Sequence, residues 1–143
     1  MLELIFDRLN DAGSFTRVEV AESVQAISGR IGTAEDGQVF VVPWRERARP
    51  NRNAAGGHRQ LIEVQFVTAM VSRQHDDPRG AERAARFDGL KAAIEELLAG
   101  WHPDRTAGAC ALVGGETTGL GNGVSIYAQT WQTTRFLTGE PHG

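Results

Sequence analysis

Apolar residues return every three or four positions at the start of the chain. Leu2, Ile5, Phe6 and Leu9 share one face, which predicts a helix over residues 2–12 ending near Gly13. Phe15 to Val20 alternates loosely and predicts a short strand. Val24 and Ile27, three apart, predict a second short helix over Ala21–Ser28. After a turn at Glu35-Asp36-Gly37, the run Gln38-Val39-Phe40-Val41-Val42 is β-branched and compact, the pattern of a buried strand. Leu61 to Val71 has period two. Ile62, Val64, Phe66, Thr68 and Met70 fall on one face, and Glu63 and Gln65 on the other. The second face turns apolar at Val67, Ala69 and Val71, so that end should be covered on both sides.

The longest helical pattern begins at Asp77-Pro78, an N-cap followed by a proline suited to the first helical position. Phe87, Leu90, Ile94, Leu97, Leu98 and Trp101 form its stripe, Glu82 and Arg86 a supporting pair, and Gly100 and Pro103 its stop. The last third reads as a hairpin. Cys110–Val113 is one arm, Gly114-Gly115 follows, and Asn122-Gly123 gives a strong turn signal. Val124–Leu137 is the second arm, with Val124, Ile126 and Ala128 on one face and Tyr127, Trp131 and Leu137 on the other. Packing under a helix is the default for the Tyr127/Trp131 face, and a subunit interface is the alternative. The order of elements predicts an α+β fold: one mainly antiparallel sheet with helices packed on one face. Residues 1–143 form a single domain, with 43–59 an extended loop and 138–143 a flexible tail.

That loop, PWRERARPNRNAAGGH and the residue after it, combines prolines, asparagines and a Gly56-Gly57 pair, and predicts no regular element. Arg45, Arg47, Arg49, Arg52 and Arg59 stand there against one acid, Glu46, a net +4. The remaining ten cations and seventeen acids leave the rest of the chain at −7. Guanidinium groups pair bidentately with carboxylates or phosphates, so the segment suits acids of a neighbouring subunit, or nucleic acid with Trp44 stacking.

The whole chain, at a net charge of −3, lacks the basic footprint of a nucleic-acid-binding domain. No apolar run approaches the ~20 residues needed to span a bilayer, and acids stand where a signal peptide needs cations. The single cysteine, Cys110, sits among Ala109, Ala111 and Leu112 as a buried thiol. The phosphate-binding loop, the serine nucleophile elbow and paired histidine ligands are all missing. His75-Asp76-Asp77 could be a fragment of a metal site, but Asp77 is already explained as a cap. The residues therefore predict no enzyme, no metal and no cofactor.

Three stretches together resemble the phage tail terminator family, the group that includes minor tail protein U of long-tailed phages. They are Val39-Phe40-Val41-Val42-Pro43 with Glu46-Arg47-Ala48 and Pro50-Asn51; Leu97-Leu98-Ala99-Gly100-Trp101-His102-Pro103; and Leu112-Val113-Gly114-Gly115 with Gly123-Val124 and Gln129-Thr130-Trp131-Gln132-Thr133. Their order and spacing carry the likeness across nearly the whole chain. The resemblance implies a structural virion protein of a phage or gene-transfer-agent tail, assembled in the host cytoplasm. It implies a homohexameric ring that caps the tail tube, stops its growth and offers a joining surface to the head-side connector. Its partners would be its own copies, the tail tube protein, the connector protein, and DNA passing in transient, non-specific contact. By this resemblance Arg45, Arg47, Arg49, Arg52 and Arg59 lie at a subunit or tube interface or line the channel. Another head–tail connector or completion protein, and a small nucleic-acid-binding protein using the arginines, are the competing readings.

Overall fold

The computed structural model describes residues 1–30, 32–51, 57–73, 80–121 and 123–139, with the backbone alone over 80–83. Eight elements follow one another: α1 (Leu2–Asp11), β1 (Val18–Val20), α2 (Val24–Arg30), β2 (Val39–Ala48), β3 (His58–Arg73), α3 (Gly80–Leu98), β4 (Ala111–Gly121) and β5 (Val124–Gly139). The strands make one sheet in the order β1-β2-β3-β5-β4. The β1–β2 pair is parallel and the other pairs are antiparallel. The predicted α+β class holds.

Alternation along the strands builds two cores. Val39 and Val41 of β2, Phe66 and Met70 of β3, and Trp131 of β5 point to the side covered by α1 and α3. There they meet Ile5 and Leu9 of α1 and Ile94 and Leu98 of α3. Phe40 and Val42, then Val67, Ala69 and Val71, point the other way, with Val124 and Ile126. That second cluster is closed by Ile27 and Val24 of α2. Helices therefore stand on both sides of the sheet, which corrects the one-sided arrangement predicted from the pattern. The double-apolar end of β3 gave the reason: a strand apolar on both faces needs cover on both faces.

Two stretches predicted as loop are strand. β2 runs through the arginine segment to Ala48, and β3 begins at His58. The predicted loop over 43–59 thus shrinks to the connection between them, of which 52–56 lie outside the described residues. β4 runs straight through Gly114-Gly115, with register shifts between Leu112 and Gly114 and between Gly119 and Gly121. A Cβ at Gly115 would collide with the Tyr127 hydroxyl, so a larger residue there has to displace that ring. Gly123 has φ 72°, in keeping with the predicted turn; its partner Asn122 lies outside the described residues. Thr138 and Gly139, assigned to a flexible tail, pair with Arg59 and His58 at the end of β5, and 140–143 lie outside the described residues.

α3 ends at Leu98, and the chain turns at Gly100, whose φ of 79° glycine adopts without strain. Its N–H donates to Cys110 O (2.8 Å), and Cys110 N–H donates to Trp101 O (2.8 Å), which binds the helix end to the start of β4. Asp104 stiffens the connection by accepting from the N–H groups of Thr106 and Ala107, both at 2.8 Å. The Asp77-Pro78 start predicted for this helix lies outside the described residues, as does His75-Asp76-Asp77. Arg86 pairs with Asp36 (2.9 Å) across the loop before β2; Glu82, its predicted partner, has no described side chain. Among the described residues no helix is long and apolar enough to cross a membrane.

Candidate assembly surface

Beyond the two cores, the outer ends of β2, β3 and β5 continue as a three-stranded blade. Its faces are set by one irregularity in β2. Pro43 pairs with Phe66 and Arg45 with Gln65, so Trp44 is an extra residue and the register shifts there. A bulge of this kind re-aims every side chain beyond it. Before it, the odd-numbered residues Val39 and Val41 face α1 and α3. After it, Arg45, Arg47 and Arg49 face the opposite side.

The arginine row has a polar floor. Arg45 Nε donates to Gln65 Oε1 (2.8 Å), and Gln65 Nε2 donates to Gln132 Oε1 (2.9 Å). Arg49 reaches Glu63 Oε1 through Nε (2.8 Å) and Nη2 (2.6 Å). Arg47, opposite Glu63 in the register, makes no ion pair among the described residues. Arg59 lies on the same face with its guanidinium 4.3 Å from the centre of the Phe136 ring, a cation–π contact. Four of the five arginines singled out in the sequence therefore share one surface. Arg52 lies outside the described residues.

Glu46, counted in the sequence as the acid of this segment, belongs to the other face. Arg135 of β5 grips it in a bidentate pair, Nε to Oε1 and Nη2 to Oε2, both 3.0 Å. The hydrogen bonds from Arg135 hold the Glu46 carboxyl below its ordinary pKa. The pair is satisfied within the chain, so it does not neutralise the arginine row, which is offset on the blade by Glu63. Sequence reasoning missed Arg135, which is far away in the chain. The alternation Arg-x-Arg-x-Arg from 45 to 49 was itself a period-two strand signal, hidden by the prolines at 43 and 50.

Exposed apolar residues surround the blade. Trp44 is 58% exposed, and Phe136 and Leu137 near the blade's end are exposed too. On the far edge of the sheet, Leu112 and Val113 of β4 are also exposed. Every residue of β4 except Leu120 is exposed, and its charge is limited to Glu116. By contrast, the Tyr127/Trp131 face is core. Trp131 is fully buried, and Tyr127 meets Phe87 of α3 edge-on at 5.1 Å. The interface alternative for that face is therefore withdrawn.

The sequence matches the phage tail terminator protein family over residues 1–141. The chain belongs to the phage tail terminator family. A chain in a solved structure described as the virion of a native gene transfer agent particle shares the fold. The TM-score is 0.57 at 13% identity, covering 96% of this chain and 95% of that one. No curated protein matches the sequence. This terminator-family protein is a structural tail component of a virion, and its working surfaces are those that meet other tail or head proteins.

Proposed function

We propose that the protein forms a six-membered ring on the end of a tail tube, halts the tube's polymerisation, and leaves a joining surface for the head side. The match of residues 1–141 to the terminator family carries this reading. The physics of the fold supports it. Tube rings stack head to tail, a contact that extends without limit unless the last subunit lacks the next acceptor surface. β4 presents an edge of eleven residues with neither lysine nor proline to discourage pairing. β1 covers the outer side of β2 only at Val39–Val41, which leaves the blade's edge open as well. Long open edges invite association, and a protein keeps them where a neighbour covers them. The arginine face is the second such surface, at a subunit seam or on the wall of the channel.

Native mass measurement with and without purified tail tubes, followed by imaging of tube ends, tests the reading. Six-fold rings in solution or at tube ends, together with tubes that stop lengthening, are expected. A monomer indifferent to tubes removes the proposal, and twelve-fold rings move the protein to the connector.

A further inference from the structure

Two charged rows stand on opposite sides of the sheet. Away from α1 and α3 stand Arg45, Arg47, Arg49 and Arg59. On the helical side, α1 exposes Glu3, Asp7 and Asp11. None of these three acids makes an ion pair among the described residues. The cation of the same helix, Arg8, is turned to its own chain: Nε donates to Leu97 O (3.0 Å), and the guanidinium lies 5.2 Å from the centre of the Trp101 ring. The acidic stripe is thus left open to a partner.

The spacing of the two rows agrees. Glu3, Asp7 and Asp11 recur every fourth residue, which steps their Cα atoms about 6 Å along the helix axis. Arg45, Arg47 and Arg49 recur every second residue, about 6.7 Å per step along the strand. Three carboxylates can therefore meet three guanidinium groups in register: Arg47 offers its whole fork, and Arg45 and Arg49 the N–H groups that Gln65 and Glu63 leave over. An apolar contact is available at the same place. Leu4 is 39% exposed beside the acids, and Trp44, at 58%, begins the arginine row. Tryptophan and arginine are the residue types that dominate interface energies.

Within one copy Trp44 and Arg45 border Met1, Leu2 and Ile5 at the start of α1, but none of Glu3, Asp7 and Asp11 pairs with Arg45, Arg47 or Arg49. α1 packs on β1 and β2 from the helical side, and the arginines project from the opposite side of the same sheet. Two patches that fit each other but not themselves make a heterologous contact, the kind that closes into a ring when the rotation allows. We infer that the seam between neighbouring subunits pairs the α1 stripe Glu3, Leu4, Asp7 and Asp11 of one copy with Trp44, Arg45, Arg47 and Arg49 of the next. This inference rests on the ring proposed above and adds its contact.

Two triple variants test it: Glu3→Lys/Asp7→Lys/Asp11→Lys and Arg45→Glu/Arg47→Glu/Arg49→Glu. All six positions are exposed, and circular dichroism with thermal melting of each variant checks the fold. Each variant alone loses rings, with an assembled fraction down by about tenfold or more. Mixed one to one, they regain six-fold rings of alternating copies, because each lysine stripe then meets a glutamate row and each native stripe a native row. If either triple variant does not fold, Asp7→Asn and Arg47→Gln replace it, and a double-mutant cycle on ring dissociation reads their coupling; additive effects overturn the seam. Wild-type rings with variant rings equally abundant overturn it as well, while the ring itself stands. Normal assembly of the acid-reversed variant, with only DNA retention lost in the arginine-reversed one, assigns the arginines to the channel wall instead. Wild-type protein that forms no rings in solution or on tubes removes the ring and its seam together.

Discussion

Trp131 is the largest side chain fully withdrawn from water, and its indole N–H donates to the Thr68 hydroxyl at 3.1 Å. It therefore fixes β5 against β3 twice, by volume and by a buried hydrogen bond. Replacing it with alanine removes both, and about 3–5 kcal/mol of unfolding free energy should go with it. Trp131→Phe keeps most of the volume and leaves the Thr68 hydroxyl to find another partner, a loss nearer ~1 kcal/mol. Urea unfolding of the two variants checks this; equal losses would show that the hydrogen bond to Thr68, which both variants lack, outweighs packing. Cys110 sits in the same core, and burial pushes its thiol up to about 11, which keeps it neutral and unreactive at ordinary pH. At this scale the sequence was readable wherever a residue's own type decided its place. Cys110 among alanines, and Trp131 on the helix-facing side of its strand, lie where the pattern put them. Arg135 was not readable, because its meaning depends on Glu46, a partner brought near only by the β2–β3–β5 register.

Among the elements, the strand cores followed from period-two patterning and the helices from period three to four. The edges and the blade did not. Gly114-Gly115 has the composition of a turn, yet it continues β4, because an edge strand tolerates glycine and Tyr127 needs the space. Pro43 and Pro50 mark a loop by composition, yet the ladder between them survives on the outer strand, where a missing N–H costs little. The bulge at Trp44 could not be foreseen, since only the partner strand reveals that one residue is extra. Deleting Trp44 tests this reading of the bulge. Pro43 and Arg45 then become consecutive, Arg45 stays opposite Gln65 and Arg47 opposite Glu63, and the arginine row keeps its face. The expected outcome is a melting temperature within a few degrees of the wild type, since only the exposed indole and the local bend are lost. A fall of about ten degrees or more would show that Trp44 is held in the ladder and is not the extra residue.

The molecule carries a row of acids along α1 on one side of its sheet and a row of arginines along the blade on the other, and its small net charge of −3 conceals that separation. Composition reported the sum, and only the fold could report the direction. The direction has a consequence that the sum lacks. Screening acts on exposed charges over about 10 Å at 0.1 M salt and about 3 Å at 1 M. A seam made from Glu3, Asp7 and Asp11 against Arg45, Arg47 and Arg49 should therefore weaken steadily as salt rises, beginning with slower association. A seam made from β4, through Leu112, Val113 and backbone pairing, carries little charge and should hold or tighten in the same series. Ring abundance measured by light scattering from 0.1 to 1 M potassium chloride separates the two. A steady fall in the wild type, repeated in the one-to-one mixture of the two triple variants, places the association energy on the charged faces. A flat response moves it to the β4 edge, and leaves the arginines to the tube or to the passing DNA.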